Sequence, residues 1–281
     1  MSYLFESIYR ELTNVLRMIF GLEICRGSFF ARRSFVEALI HARRLGLLPA
    51  TVIDVGAANG AFTLKCHRIF PKARYILVEP LQEYRTHLDR VTKTIPKSEY
   101  IVSAATATQG EVSINVHPDL VGSSLYLENE DSDVNGVPRR VRADTIDNFC
   151  ESRNAVGPYL IKVDVQGGEL EVLSGGKKIL KETEYAILEV SLFQFFMGGP
   201  QFYEVVHYMK SCGFVVYDIF DVQYRPFDGA VSQVDIAFVR ENGRFRSHQI
   251  YATPEQREVQ TRRLLGIRKV NSVKRPYWER R

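Results

Sequence analysis

Four acidic side chains stand near the ends of short apolar runs, where an α/β sheet would present groups to a ligand. They are Asp54, Glu79, Asp164 and Glu189. Parallel strands end at the same edge of a sheet, and ligands bind beyond that edge. We therefore expect these carboxylates to converge. Convergent carboxylates can accept protons, bind hydroxyl or ammonium groups, or hold a hard metal ion.

Segment 162–169, with the sequence KVDVQGGE, concentrates groups that could do chemistry. Lys162 and Asp164 lie two residues apart on a predicted strand and therefore face the same side. We expect Asp164 to act as a general base or to position an acceptor group, with Glu189 and Glu169 in support. Glu169 opens a predicted helix, where a carboxylate is also favourable without any catalytic role. Lys162 is expected to pair with a carboxylate rather than to react.

Alternating strand and helix patterns must position these groups. Apolar runs typical of buried strands occupy residues 51–55, 75–78, 100–103, 159–164, 185–190, 214–217 and 234–239. Apolar residues at helical spacing lie between them, at 62–70, 83–92, 169–180 and 203–211. This order predicts an α/β protein with a Rossmann-like, mostly parallel sheet of about seven strands and helices on both faces. Residues 111–142 alternate in polarity and predict a β-hairpin insertion with a turn at 135–138, and 144–147 predict a helix start.

Loop 54–60, with the sequence DVGAANG, joins the first predicted strand to the first helix of the sheet. Gly56 and Gly60 permit a sharp turn, and they let the backbone around Ala57 and Ala58 approach a ligand closely. Both a nicotinamide dinucleotide and S-adenosylmethionine (SAM) bind loops of this kind. Ala58 replaces the middle glycine of the dinucleotide pattern, which favours SAM.

Carboxylates beside this loop also favour SAM. Asp54 could meet the cationic ammonium group of the methionine part, which a nicotinamide dinucleotide lacks. Glu79, followed by Pro80, could accept hydrogen bonds from both ribose hydroxyls, a feature that enzymes using NAD share. Ala104 and Ala105 follow the third predicted strand. Their small side chains would leave room for an adenine ring, or would serve only close helix packing.

Other candidate groups carry weaker signals. A divalent cation such as Mg²⁺ could sit among Asp164, Glu169 and Glu189, because it prefers oxygen ligands. The four cysteines are far apart and form no CxxC spacing, so a zinc or redox motif has no support. His41 and His117 are isolated base candidates without a motif. The hydroxyls of 122–124 could line an acceptor pocket, although glycine and serine are common in loops.

The pattern as a whole resembles the FkbM family of methyltransferases. Four segments carry the resemblance, namely 54–60, 78–80, 144–147 and 161–169. The last, IKVDVQGGE, resembles the family's Lys-x-Asp-x-Glu/Gln-Gly-x-Glu signature and is far more specific than the glycine loop. Residues 187–189 also resemble the family's acidic fifth strand. The resemblance implies SAM-dependent O-methylation of a hydroxyl on a sugar, a glycolipid or a polyketide-type metabolite, without implying one substrate.

Length and composition set the remaining expectations. The chain has 281 residues, 45% hydrophobic and 25% charged, which suits one large soluble domain with extensions. We predict a helical extension at 1–50, a methyltransferase domain at 51–245 and a basic tail at 246–281. The net charge of +4 is too small to imply nucleic-acid binding. Scattered cysteines and the lack of a secretory signal at the start of the chain favour a cytoplasmic protein.

The basic tail and the function each leave alternatives. The tail could contact an anionic membrane surface or an acidic substrate, although a solvated tail is the more ordinary interpretation. The main functional hypothesis is a methyltransferase acting on a small-molecule or glycan acceptor. A nicotinamide-dependent oxidoreductase is the second, and a cofactor-binding module without catalysis is the third. The sequence specifies neither the acceptor nor the oligomeric state.

Overall fold

The computed structural model describes residues 32–130 and 134–265. Its helices are α1 Phe35–Arg44, α2 Ala61–Ile69, α3 Arg85–Thr94, α4 Ile146–Glu151, α5 Glu169–Ser174, α6 Lys177–Glu182, α7 Phe202–Ser211 and α8 Pro254–Leu264. Its strands are β1 Thr51–Val55, β2 Arg74–Val78, β3 Ser98–Ile101, β4 Ala104–Ala105, β5 Gly110–Val116, β6 Val137–Asp144, β7 Tyr159–Val163, β8 Thr183–Ser191, β9 Phe214–Tyr224 and β10 Val231–Arg240. The helices predicted within the first thirty residues, and the tail from residue 266, lie outside the described residues.

A central sheet of seven strands, counted over the described ranges, runs in the order β3-β2-β1-β7-β8-β10-β9. The first five strands of that order are parallel, and β10 is antiparallel to β8 and β9. This is the Rossmann-like fold of class I methyltransferases, and it confirms the predicted mostly parallel sheet. The order reverses direction between β1 and β7. Such a switch point opens a crevice beyond the strand ends, where α/β proteins bind ligands.

Alternate residues of the parallel strands are buried on opposite faces of the sheet. Ile53 and Ile161 belong to the core under α4, α5, α6 and α7. Val52 and Leu160 belong to the core under α1, α2 and α3. All four are fully buried, and each contributes about 1.5–3 kcal/mol by leaving water. The strand ends at the crevice are therefore fixed by packing on both sides.

The first described helix, within the predicted helical extension, buries only part of its apolar residues. α1 buries Leu39 against the sheet, but Ile40 and Leu48 are exposed. The helix ends at Arg44, and Gly46 has a φ of +95°, which only glycine adopts without strain. Residues beyond that turn no longer follow helical spacing, so the apolar run at 45–48 does not extend the face.

The predicted helix at 169–180 is wrong as a single element, because it is divided into α5 and α6. The break lies at Gly175 and Gly176, since glycine is a poor helix residue. A Cβ on Gly175 would lie 2.1 Å from the carbonyl oxygen of Thr106. The chain therefore needs glycine here to pass close to the strand-end segment at residue 106.

The predicted insertion forms a small second sheet in the order β4-β6-β5, with β5 and β6 antiparallel. The turn predicted at 135–138 is shorter than expected, since Val137 and Pro138 already belong to β6. The predicted helix start is confirmed, because the Thr145 hydroxyl caps α4 by accepting from the backbone N–H of Asn148. On the other side, the Ser124 hydroxyl donates to the carbonyl of Gln166 at 2.5 Å. The insertion is thus tied to the turn after β7.

Two strands have different bounds from those that the sequence predicts. The third predicted strand lies at Ser98–Ile101, slightly earlier than expected, and β9 runs well beyond residue 217 to Tyr224. Across the described ranges, no helix has the length and apolar character that spanning a bilayer requires.

Candidate active site

The loop after β1 turns sharply at the crevice. Gly56 and Gly60 have φ values of +75° and +77°. A Cβ on Gly56 would lie only 1.7 Å from the carbonyl oxygen of Asp164. The Gly56 N–H donates to the carbonyl of Val78 at 2.9 Å. The loop is therefore wedged between the ends of β2 and β7, and Gly56 is the residue that this approach requires.

Glu79 ties the end of β2 to this loop. Its Oε2 accepts from the N–H of Ala58 at 2.8 Å, and its Oε1 accepts from the N–H of Leu81 at 2.8 Å. Ala58 has a φ of +45°, an uncommon conformation for a residue with a side chain. Burial raises the pKa of Glu79 to about 7, although both amide hydrogen bonds oppose the shift. Glu79 is therefore a buried acid that still borders open space.

That open space is the cofactor cleft, which we define by the loop after β1, the end of β2, β4, the insertion and the turn after β7. Most of the predicted cofactor-binding residues line it, namely Gly56, Ala58, Glu79, Pro80, Ala104 and Ala105. Ser123 of the insertion also lines it, so one of the two hydroxyls predicted for an acceptor pocket lies on the cofactor side, whereas the Ser124 hydroxyl bonds to Gln166. The turn requires glycine at position 60, because a Cβ there would lie 2.5 Å from the side chain of Val91.

Asp54 lies below the surface of this cleft. Its residue exposure is 1%, and its Oδ2 accepts from the Thr63 hydroxyl at 2.6 Å. Its Oδ1 is buried and has no hydrogen-bond partner within the described residues. Burial raises its pKa above the ordinary value. The predicted contact with an ammonium group stays a prediction, because Asp54 borders neither this cleft nor its neighbour.

A second space, the acceptor depression, lies on the other side of Asp164. It is lined by aromatic, acidic and amide side chains together with part of the loop, including Phe35, Ala57, Phe62, Lys162, Glu189, Asp221, Gln223 and Asp235. Gly56, Ala58 and Asp164 border both spaces. A group transferred from one space to the other would therefore pass Asp164.

Lys162 and Asp164 form an ion pair at the end of β7. The Lys162 Nζ donates to the Asp164 Oδ2 at 2.7 Å, and Lys162 stands beside Asp54 in the register of β1 and β7. Burial alone would raise the pKa of Asp164, but the charge and hydrogen bond of Lys162 hold it below the ordinary value. Burial likewise opposes the charge of Lys162, and Asp164 and Asp54 keep its pKa above the ordinary value. Both predicted residues thus lie in the site as a charged pair.

Glu189 faces the same space from β8 and is held by three amides. Gln166 donates to its Oε2 at 2.7 Å and also to Asp164 Oδ1 at 3.1 Å. Gln223 donates to its Oε1 at 2.9 Å, and Gln233 donates to its Oε2 at 3.2 Å. Burial, with the negative charge of Asp164, raises the pKa of Glu189 to about 8. The site therefore places the ionised carboxylate of Asp164 near the carboxyl group of Glu189, which keeps its proton near neutral pH.

Glu169 lies apart from these groups. It is 4% exposed, lines neither space, and its Oε1 accepts from the N–H of Gly167 at 3.1 Å. Burial raises its pKa to about 7. The Mg²⁺ site predicted among Asp164, Glu169 and Glu189 has no counterpart here, since the described part of the chain holds no acidic, histidine or cysteine group arranged to bind a metal. The structure therefore places Glu169 as a support of the turn.

The isolated histidines serve other contacts. His41 stacks on Tyr217 with ring centroids 6.4 Å apart. His117 pairs with Asp119 through its Nδ1 at 2.7 Å. Neither histidine borders the cofactor cleft or the acceptor depression.

Three residues of the acceptor depression escaped the sequence analysis: Asp221, Gln223 and Asp235. Asp235 had a visible signal, because it is the one charged residue in the apolar run 234–239. Asp221 and Gln223 lie in the part of β9 beyond the predicted strand. Asp221 has a φ of +48° and accepts from the N–H of Phe35, which anchors α1 to the site.

The strand order, the glycine loop and the carboxylates at the switch point define a SAM-dependent methyltransferase of class I. Residues 54–216 match the family model described as the methyltransferase FkbM domain. The chain belongs to the FkbM methyltransferase family, as its sequence motifs predict.

Two curated relatives share this region. The 2-O-methyltransferase NoeI of Sinorhizobium fredii is 24% identical over 176 residues, covering 57% of this chain and 72% of that protein. The hexuronic acid methyltransferase AglP of Haloferax volcanii is 27% identical over 141 residues, covering 49% of this chain and 54% of that protein. A crystal structure of the methyltransferase FkbM from Methylobacillus flagellatus aligns with a TM-score of 0.44 at 15% identity, covering 66% of this chain and 43% of that one.

Proposed function

We propose that the protein transfers a methyl group from SAM to a hydroxyl group of a sugar, a glycolipid or a related metabolite. The observation that carries the proposal is the position of Asp164, an ionised carboxylate that borders both the cofactor cleft and the acceptor depression. The name of NoeI supports methylation of an oxygen, and the name of AglP supports a carbohydrate acceptor. Family membership favours methyl transfer over the nicotinamide-dependent alternative.

The residues of the cofactor cleft fit SAM. Glu79 is a mostly buried carboxylate that lines the cleft, so it suits a ligand that carries hydroxyl donors. Glu79 would hold the ribose hydroxyls, and Ala104 and Ala105 leave room for the adenine ring. When bound, SAM supplies a methyl group already activated by its sulfonium. The protein's own task is to position and deprotonate the acceptor.

The acceptor depression supplies that positioning. Asp164 would accept a hydrogen bond from the acceptor hydroxyl and orient its oxygen, while Lys162 keeps the carboxylate ionised. Glu189 would receive the proton when it is itself ionised, which requires a pH near or above its pKa of about 8; a base works best when its pKa lies near the working pH. Gln166 holds Asp164 and Glu189 in one arrangement through its two hydrogen bonds.

The test is a methyl-transfer assay that measures S-adenosylhomocysteine released from a panel of sugars, glycolipids and small alcohols. A parallel assay with a chelator tests whether turnover depends on the predicted Mg²⁺. We expect turnover with sugar hydroxyls. Asp164→Asn should keep SAM binding by calorimetry while turnover falls on the order of 10²-fold, the usual cost of misplacing a reacting group by about 1 Å. Full turnover in Asp164→Asn would contradict a catalytic role of this carboxylate. SAM binding by the unmodified protein without turnover on any acceptor would support a cofactor-binding module.

Cofactor binding is tested separately. Glu79→Ala should weaken SAM binding about tenfold or more, because it removes charged acceptors from a buried site. Glu83→Ala is the matched control, since Glu83 follows on the same turn but pairs with Arg139 on the surface. No SAM binding by the unmodified protein at millimolar concentration would overturn the proposal.

A further inference from the structure

Asp235 is a mostly buried carboxyl group that accepts no hydrogen bond from the residues that the structure describes. It lies on β10, directly opposite Glu189 of β8 in the antiparallel register. Its residue exposure is 9%, and the exposed part borders the acceptor depression. Within 32–130 and 134–265, no side chain or backbone N–H donates to it. Its electrostatic neighbours are Lys162, Asp164 and Asp221.

The other carboxylates of the depression are already engaged. Asp164 accepts from Lys162, Glu189 accepts from three glutamines, and Asp221 accepts from the N–H of Phe35. Buried polar groups in folded proteins are normally satisfied. An unsatisfied one that faces an open depression is therefore suited to a donor on a ligand.

The charge balance of the depression points the same way. Four carboxyl groups line it, from Asp164, Glu189, Asp221 and Asp235, against the two cationic side chains of Arg33 and Lys162. Lys162 is committed to Asp164 at 2.7 Å. Turnover is expected above about pH 8, where Glu189 is ionised and Asp235, whose pKa is raised to about 7, is ionised as well. There the four carboxylates outnumber the two cations, so negative charge on an acceptor would be repelled, whereas hydroxyl and amino groups would find acceptors.

We infer that Asp235 is an acceptor-binding residue, and that the depression selects uncharged or amino sugars against uronic acids. This inference rests on the proposed function and names the acceptor class of the same site. Asp235 would accept a hydrogen bond from a hydroxyl or amino group of the ring beside the reacting hydroxyl. Specificity then comes from repulsion of the wrong acceptor as well as from contact with the right one. The acceptor class differs from the hexuronic acid in the name of AglP.

The experiment compares three glycosides with the same ring: methyl glucoside, methyl glucosaminide and methyl glucuronide. Their kcat/KM values are measured above pH 8 with the full chain and saturating SAM, at low and at high salt. We expect the glucoside and the glucosaminide to exceed the glucuronide at least tenfold at low salt. The discrimination should shrink at high salt, because exposed charges are screened.

Asp235→Asn tests the residue itself. It should raise KM for the glucosaminide and narrow the discrimination against the glucuronide, while SAM binding by calorimetry is retained. Asp228→Asn is the matched control, since Asp228 pairs with Arg225 outside the depression. A glucuronide preference of the unmodified protein overturns the inference and leaves methyl transfer intact. Unchanged ratios in a folded Asp235→Asn overturn it too. Methylation of none of the three, when other acceptors of the wider panel are methylated, overturns the inference alone, whereas the lack of SAM binding overturns the proposed function with it.

Discussion

The Lys162 Nζ lies 2.7 Å from the Asp164 Oδ2, in a pair whose side chains are 11% and 30% exposed. The strand alternation that places both side chains on one face also places this pair at the end of β7. An ion pair of this kind lowers the basicity of Asp164. Its best use is therefore to hold a hydroxyl in position rather than to keep the proton.

Lys162→Met should destabilise the fold by about 3 kcal/mol, the low end for removing one partner of a buried pair. The low end applies because Asp164 keeps some contact with water. Without Lys162, burial would dominate and raise the pKa of Asp164, so turnover should fall as well. Urea unfolding measures the first effect, and the methyl-transfer assay measures the second.

Lys178→Met is the control for that variant, because the side chains of its pair with Glu151 are 71% and 67% exposed. Surface pairs contribute about 0–1 kcal/mol. Equal destabilisation by the two substitutions would contradict the buried pair as described.

The pH dependence of turnover should follow Glu189. Its pKa is raised to about 8, so the carboxyl group is protonated below that pH and can accept a proton above it. Because Asp164 has a lowered pKa and stays ionised, kcat/KM should rise with pH and reach half its limit near 8. Glu189→Gln should lower turnover and remove this rise. If the rise persists in Glu189→Gln but is lost in Asp164→Asn, Asp164 is the base.

The sequence was sufficient to predict the parallel half of the site. Asp54, Asp164 and Glu189 stand near the ends of apolar runs, and parallel strands bring such ends to one edge. Asp235 could not be placed by the same rule, because β10 runs antiparallel. The first half of that strand, not its end, lies at the crevice, and the strand's direction depends on long-range pairing with β8 and β9.

The sequence also did not indicate how deeply each carboxylate of the site is buried. Asp54 and Glu79 both follow apolar runs, yet Asp54 borders neither space whereas Glu79 lines the cofactor cleft. The difference comes from Thr63 of α2, whose hydroxyl reaches back to Asp54. Glu169 is a similar case, because its bond to the N–H of Gly167 depends on the geometry of a turn that residue types alone do not specify.

The free energy of unfolding should fall as the pH rises from 4.5 to about 7, between the ordinary and the folded pKa of Glu169. Its folded pKa is about 7 against an ordinary 4.5, so between these values the folded state holds a proton that the unfolded state has lost. Each such group lowers the free energy of unfolding by up to about 1.4 kcal/mol per pH unit across that window. Glu169→Gln should make the free energy of unfolding fall less steeply with pH, by the contribution of about one bound proton. Urea unfolding from pH 5 to 7 measures this slope.

Glu171→Gln is the control on the same helix, where Glu171 is half-buried and forms no bond to the turn. Other buried acids, including Glu79 with a pKa raised to about 7, contribute with the same sign, so the slope should shrink without vanishing. An unchanged slope in Glu169→Gln would contradict the protonated, buried state of this residue.

Gly56→Ala should separate backbone strain from steric contact when compared with Gly229→Ala. Both glycines have a φ of +75°, but a Cβ on Gly229 meets nothing within 4 Å, whereas one on Gly56 would lie 1.7 Å from the Asp164 carbonyl oxygen. Left-handed backbone alone costs a residue with a side chain about 1–2 kcal/mol.

We expect the free energy of unfolding of Gly229→Ala to fall by about that amount, measured with urea, and SAM binding to be kept. Gly56→Ala should lose more and should bind SAM weakly, because pushing the loop away from β7 distorts both the cofactor cleft and the position of Asp164. Equal losses in the two variants would mean that the loop can move aside, and that its close approach to β7 is not needed for cofactor binding.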